Sequence, residues 1–66
     1  MEQPELMTEQ QLADYAQVHV ETVRRWRRLK IGPPVVWAGP RRPRYRRTDV
    51  DQWMERGGPD QAERRG

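Results

Sequence analysis

The chain has no cysteine, no phenylalanine and a single histidine, His19. Without cysteine there are no disulfides, no iron–sulfur clusters and no thiolate-held zinc, and one histidine cannot build a metal site without help from carboxylates. Only 33% of the residues are hydrophobic against 35% charged, so any core is thin. A length of 66 residues makes one small domain at most. Domains of this size usually use disulfides, a metal or a partner to offset chain entropy. Here tight helix packing or a binding partner must serve instead. No apolar run approaches the roughly 18 residues of a membrane span, and Met1, Glu2, Gln3, Pro4 and Glu5 make an acidic start where a secretory signal is basic and then apolar. The expectation is a cytoplasmic protein without membrane contact. With one His, no Cys and no Gly-rich phosphate loop, the chain is expected to be no enzyme, to hold no cofactor and to take no small-molecule substrate.

What the chain does have is arginine, unevenly placed. The formal net charge is +3, from 13 basic and 10 acidic residues. Residues 22–48 hold ten of the basic residues and no acid, so the middle carries +10 and the flanks together carry −7. A basic centre between acidic ends points to a polyanion partner. Twelve of the basic residues are Arg and one is Lys, and the planar guanidinium fork suits phosphates and guanine edges. Codon bias in a GC-rich genome could explain Arg over Lys, but not the clustering.

Periodicity divides the chain into a disordered N-terminal tail over residues 1–7, a folded domain over 8–56 and a flexible C-terminal tail over 57–66. Thr8 and Gln11 form a Thr-x-x-Gln capping box that starts a first helix, in which Leu12, Ala13, Tyr15 and Ala16 share one face. That helix breaks near Gln17. A second runs from about residue 20 to residue 29, with His19 at its cap. Steps of about 100° put Val23, Trp26 and Leu29 on one side and Glu21, Arg24, Arg25 and Arg28 in an arc opposite. Gly32, Pro33 and Pro34 then forbid helix. Val35, Val36 and Trp37 read as a strand, Ala38, Gly39 and Pro40 as a turn, and Arg44, Tyr45 and Arg46 as a returning strand that Pro43 places on an edge. Thr48 caps a third helix with Val50, Trp53 and Met54 on one face, ending near Gly57. Trp26 and Trp53 are large enough to anchor the core. The fold class expected is mainly α with a small β-hairpin wing, a winged helix-turn-helix.

Two short helices around a tight turn follow the pattern of DNA-binding helix-turn-helix proteins. The string Val20, Glu21, Thr22, Val23, Arg24, Arg25, Trp26, followed by Ile31, Gly32, Pro33, Pro34, Val35 and a basic hairpin, resembles the phage excisionases within the MerR-like winged-helix group. Asp49, Val50, Asp51, Gln52 and Trp53 match the third helix of that wider group. Gln17 stands where the turn often has Gly, and His19 where Ser or Thr is usual. The resemblance implies a reader helix in the major groove, with Glu21 and Arg25 contacting bases and Arg24 and Arg28 contacting the backbone or making mixed contacts. It also implies a wing on the backbone or the adjacent minor groove. The partners implied are double-stranded DNA, neighbouring copies of the chain on that DNA, and a phage integrase that the protein directs toward excision.

The residues support these assignments and also allow plainer ones. Arg25 can donate two bonds to guanine O6 and N7, and Glu21 can accept from cytosine N4. Glu21 equally suits a helix first turn and a surface pair with Arg25 four residues on. Arg24, Arg25 and Arg28 could form a solvated face, but no acid shares their segment. Arg41, Arg42, Arg44 and Arg46 fit wing contacts to phosphate, or the charged guard of an edge hairpin. His19 reads as a cap or phosphate contact. Thr22 faces the core side, and Val20 sits at the arc's edge, where a thymine methyl contact and ordinary packing explain it equally well. Trp37 and Tyr45 have base-stacking faces, yet so lean a core needs them between wing and helices. A small transcription regulator on the same fold remains open, as does a protein-interaction module such as an inhibitor or antitoxin.

Overall fold

The computed structural model of the chain describes residues 5–64. Residues 1–4 and 65–66 of the two expected tails lie outside the described residues. The capping box closes as expected: Thr8 Oγ1 accepts from the Gln11 N–H at 3.0 Å, and Gln11 Oε1 accepts from the Thr8 N–H at 2.9 Å. It opens helix α1, Glu9–Ala16. The helix stops on Gln17, which is left-handed at φ 60. The Val18 N–H reaches the Ala13 carbonyl at 2.9 Å and the Gln17 N–H the Asp14 carbonyl at 3.2 Å, the crossed bonds of a Schellman stop. A left-handed non-glycine residue costs about 1–2 kcal/mol. Those two bonds and the packing of Val18 against the core offset that cost.

Helix α2, Val20–Leu29, is capped by His19, whose Nδ1 accepts from the Glu21 N–H at 3.1 Å. It ends by the same device: Lys30 is left-handed at φ 59, with Lys30 N–H to Arg27 O at 3.2 Å and Ile31 N–H to Trp26 O at 3.0 Å. The stop thus precedes the Gly-Pro-Pro step, which serves another purpose. A Cβ at Gly32 would lie 2.9 Å from Trp26 Cβ, so only glycine lets the loop fold back over that tryptophan.

The sheet is larger than a hairpin. Strands β1 (Leu6–Met7), β2 (Val36–Trp37) and β3 (Pro43–Arg46) form an antiparallel sheet in the order β1-β3-β2. The registers are Leu6 with Arg46, Met7 with Tyr45, Val36 with Arg44 and Trp37 with Pro43. Two expectations are corrected here. Residues 6 and 7 are strand, not tail, and Met7 is fully buried. Pro43 opens the central strand instead of an edge strand, a place where a strand tolerates the missing N–H. The extra strand also moves the next helix. Helix α3, Arg47–Glu55, starts directly after β3 with no side-chain cap, and the Arg47 N–H is taken by the Glu5 carbonyl at 2.9 Å. Thr48, the expected cap, lies inside the helix. A further helix, α4 (Gly58–Arg64), follows Gly57, with Gly57 and Gly58 both at positive φ, within the span expected to be a flexible tail.

Met7, Leu12, Ala13, Val23, Trp26, Tyr45, Val50 and Trp53 make one core cluster. The Trp26 and Trp53 ring centroids are 5.0 Å apart at 53°, and Trp53 Nε1 donates to the Ile31 carbonyl at 3.2 Å. The expected tryptophan anchor is therefore present. Leu29 departs from expectation at 55% exposed. On the wheel it lies about 60° beyond Trp26, on the side away from Val23, and the chain turns back over Trp26 immediately after it. Tyr15 is also exposed, at 38%. Its hydroxyl donates to Asp51 Oδ1 at 2.6 Å, tying α1 to α3 from outside, and this bond is the chief cause that raises the Tyr15 pKa above its ordinary value.

Candidate nucleic-acid interface

Helix α2 divides as its periodicity requires. Val23 and Trp26 are buried, while Glu21, Arg24 and Arg28 are exposed and Arg25 is half-buried. The candidate arc therefore lies on one face, and carboxylates order part of it. Arg24 Nη1 donates to Glu21 Oε2 at 2.6 Å, and Arg24 Nε lies 3.4 Å from Glu9 Oε1. These two carboxylates, Glu21 first, hold the Arg24 guanidinium protonated beyond the ordinary arginine range. Val20 and Thr22 are half-buried, and Val20 packs against the core, as the plainer reading of that residue had it.

Two residues that the sequence reading passed over complete this face. Arg27 Nε donates to Glu9 Oε2 at 2.9 Å, and the Arg27 guanidinium carbon stands 5.5 Å from the Trp37 ring centroid, a cation–π distance. Glu9 stands in the first turn of α1. The available signal was Arg27 itself. It lies about 40° from Val23 on the wheel, and an arginine on the flank of a core face needs a carboxylate to match it.

The wing is a tight turn on two strands. Arg42 N–H donates to the Gly39 carbonyl at 3.2 Å and Ala38 N–H to the Arg42 carbonyl at 2.9 Å, with Pro40 in the second turn position that its fixed φ favours. Arg41 and Arg42 are exposed at this tip, as expected. On β3 the pattern alternates: Pro43 and Tyr45 are buried, Arg44 is half-buried and Arg46 exposed. Arg44 Nη1 donates to its neighbour's carbonyl, Pro43 O, at 2.9 Å. Arg46 sits at the far end of the strand, beside Leu6, and is not brought to the tip.

Of the two wing aromatics, Tyr45 packs inward and Trp37 does not. Tyr45 is buried, and its hydroxyl makes no hydrogen bond of good geometry, although the Arg27 guanidinium interacts with it. Burial, and then the nearby Glu9 carboxylate, push its pKa up to about 12, with Arg27 opposing. Trp37 is 52% exposed. It forms one wall of a cleft of about 330 Å³ between α2 and the wing, with Trp26, Lys30, Gly32 and Pro33 among the other lining residues.

Among the described residues no group of three or more His, Cys, Asp or Glu side chains could hold a metal ion, and no helix is long and apolar enough to cross a membrane. No curated protein and no solved structure matches the chain. The profile of the helix-turn-helix domain family, which includes excisionase-like proteins and is typically non-enzymatic, matches residues 6–58. The match opens on β1 and closes at the start of α4, so it takes in α1, α2, the wing and α3. The chain is thus a winged helix-turn-helix that binds double-stranded DNA sequence-specifically, and it belongs to the helix-turn-helix domain family.

Proposed function

We propose that the protein is an architectural DNA-binding factor of the excisionase kind, which binds repeated sites side by side, bends the DNA and directs a phage integrase toward excision. The observation that carries this reading is the acid-free stretch of residues 22–48, with arginines on the exposed face of α2 and at the wing tip. Arg25 and Glu21 read base edges, the guanidinium as a two-bond donor and the carboxylate as an acceptor from cytosine. Glu21 must share its carboxylate with Arg24 or release it on binding. Arg24 and Arg28 take backbone or mixed contacts. Arg41, Arg42, Arg44 and Arg46 serve the wing's phosphate contacts, Arg46 from the strand's far end. The excision role rests on the likeness of residues 20–35 to excisionases.

Size supports binding in arrays. The principal extents are 29 × 28 × 18 Å, less than one DNA turn of about 34 Å. A footprint this small offers few base contacts, so neighbouring copies must add discrimination. The acidic flanks, −7 against the +10 centre, supply weak attraction between adjacent copies. A reader helix and a wing gripping adjacent grooves favour curvature.

The test is gel mobility on duplexes carrying one, two and three direct repeats of a selected site, with curvature read by permuting the site's position. Cooperative steps with added curvature are expected, and binding should weaken about a hundredfold between roughly 50 and 200 mM salt. A single step on one inverted repeat, without curvature, would make the protein a transcription regulator. A flat salt response would remove DNA as the main partner.

A further inference from the structure

Glu9 opens α1, and its side chain is only 14% exposed between two arginines of α2. Oε2 accepts from Arg27 Nε at 2.9 Å and Oε1 lies 3.4 Å from Arg24 Nε. Arg27 in turn stands over Trp37, the aromatic of strand β2. One carboxylate therefore ties together the first helix, the arginine face of the second and the root of the wing. A first-turn acid does not need this: exposed, it already interacts favourably with the helix N-terminus. A carboxylate held between two guanidiniums is instead a geometric restraint, because the planar fork fixes direction as well as distance.

We propose that Glu9 is a positioning residue for DNA discrimination: it holds Arg24 and, through Arg27 and Trp37, sets the angle between reader helix and wing. This rests on the DNA-binding reading above. The restraint acts on two quantities with opposite sign. A carboxylate beside Arg24 lowers the positive charge offered to any phosphate, so it weakens sequence-independent binding. The same contact pre-orders two DNA-facing elements, so it strengthens binding to the one sequence that fits both.

The experiment compares the wild-type chain with Glu9→Gln and Glu9→Asp on two duplexes: one selected from a random pool by the wild type, the other a shuffled sequence of equal length. Glu9→Gln keeps the size and removes the charge. It should bind the shuffled duplex about two- to threefold more tightly while the selected-to-shuffled ratio falls about tenfold, because one counterion-releasing contact is gained and the ordering is lost. Glu9→Asp keeps the charge but shortens the reach. It should leave shuffled binding unchanged and still lower the ratio, and it carries the test alone if Glu9→Gln does not fold. A second readout needs no DNA. Trp26 and Trp53 are buried and Trp37 is exposed, so acrylamide quenching reports chiefly on Trp37, and it should increase in both variants as Arg27 leaves the ring. An unchanged ratio in both variants overturns the proposal, as does equal weakening on both duplexes with unchanged quenching, which would mark Glu9 as a structural prop. If the wild type itself does not discriminate between the duplexes, the DNA-reading function fails and this proposal falls with it.

Discussion

The reader helix and the wing tip use the same side chain in opposite settings. On α2, Arg24 and Arg27 are held by Glu9, and Arg24 also by Glu21, at 2.6–3.4 Å, above a face that buries Val23 and Trp26. At the wing tip Arg41 and Arg42 are exposed, with no ion pair among the described residues, on a turn that buries nothing between Ala38 and Arg42. An arginine in a fixed fork can select a base edge. One on a solvated turn adds charge to any duplex. Under the proposed function, the difference makes the basic centre two devices, an ordered face on α2 for discrimination and a solvated wing tip for attraction.

The comparison breaks most completely where the reader helix meets the core. Trp26→Ala removes a side chain that is 1% exposed and packed at a tilt against Trp53. Deleting a buried aromatic costs about 3–5 kcal/mol, close to the whole stability of so small a domain. Circular dichroism should show the variant unfolded or melting far below the wild type, whereas Arg41→Ala should melt unchanged. An unaltered melt for Trp26→Ala would mean that α2 is not fixed by its buried face, and the contrast with the wing would lose its basis.

The next effect is on binding. Arg25→Ala should cost about 1–3 kcal/mol on a selected duplex and narrow the gap to shuffled DNA, as loss of a two-bond base contact does. Arg41→Ala and Arg42→Ala should each cost less, weaken both duplexes alike and reduce the slope of log affinity against log salt by about one. Titrating all three variants against both duplexes at several salt concentrations separates the two devices. Equal losses on both duplexes for all three would show that Arg25 reads no base and that helix and wing act as a single charged surface.

Local chemistry made the first half of the fold legible. Thr8 with Gln11, and His19 ahead of Val20, are signals carried within three residues, and the structure places both helix starts where those signals put them. The stops were legible in position but not in cause. Gln17 and Lys30 take the left-handed conformation that glycine usually supplies, because Val18 and Ile31 find the core immediately afterwards. The second half depends on long-range pairing, which leaves little trace in periodicity. Leu6 and Met7 are too short a strand to show alternation, yet they make Pro43 part of a central strand, and the carbonyl of Glu5 just before them, not Thr48, meets the first N–H of α3. The candidate site divides in the same way. The arc of Glu21, Arg24, Arg25 and Arg28 follows from helical spacing, while Glu9 reaches it across 15 and 18 residues of sequence. A helical wheel draws one helix at a time and cannot show that contact.

The smallest effect expected lies at the root of the wing, where Tyr45 meets the core. Its hydroxyl is buried and makes no well-formed hydrogen bond, Arg27 only opposing the rise in its pKa, so the folded state has given up a hydration that the unfolded chain keeps. Tyr45→Phe keeps the ring and deletes that hydroxyl, and should raise stability at neutral pH by about 0.5–1 kcal/mol. The same burial, with Glu9 nearby, raises the Tyr45 pKa from 10.0 to about 12 in the folded protein. Between those values the unfolded chain releases a proton that the folded chain retains. The Tyr45 contribution to stability is therefore intact below pH 10 and lost as pH rises through about 12. Phenylalanine cannot ionise, so the melting temperatures of wild type and Tyr45→Phe should diverge further as pH rises above 10. A constant gap across that range would mean that Tyr45 ionises as an exposed tyrosine does. A less stable Tyr45→Phe would mean that the hydroxyl has a partner, and the wing root would then be anchored by a polar contact instead of by the packing that separates it from the tip.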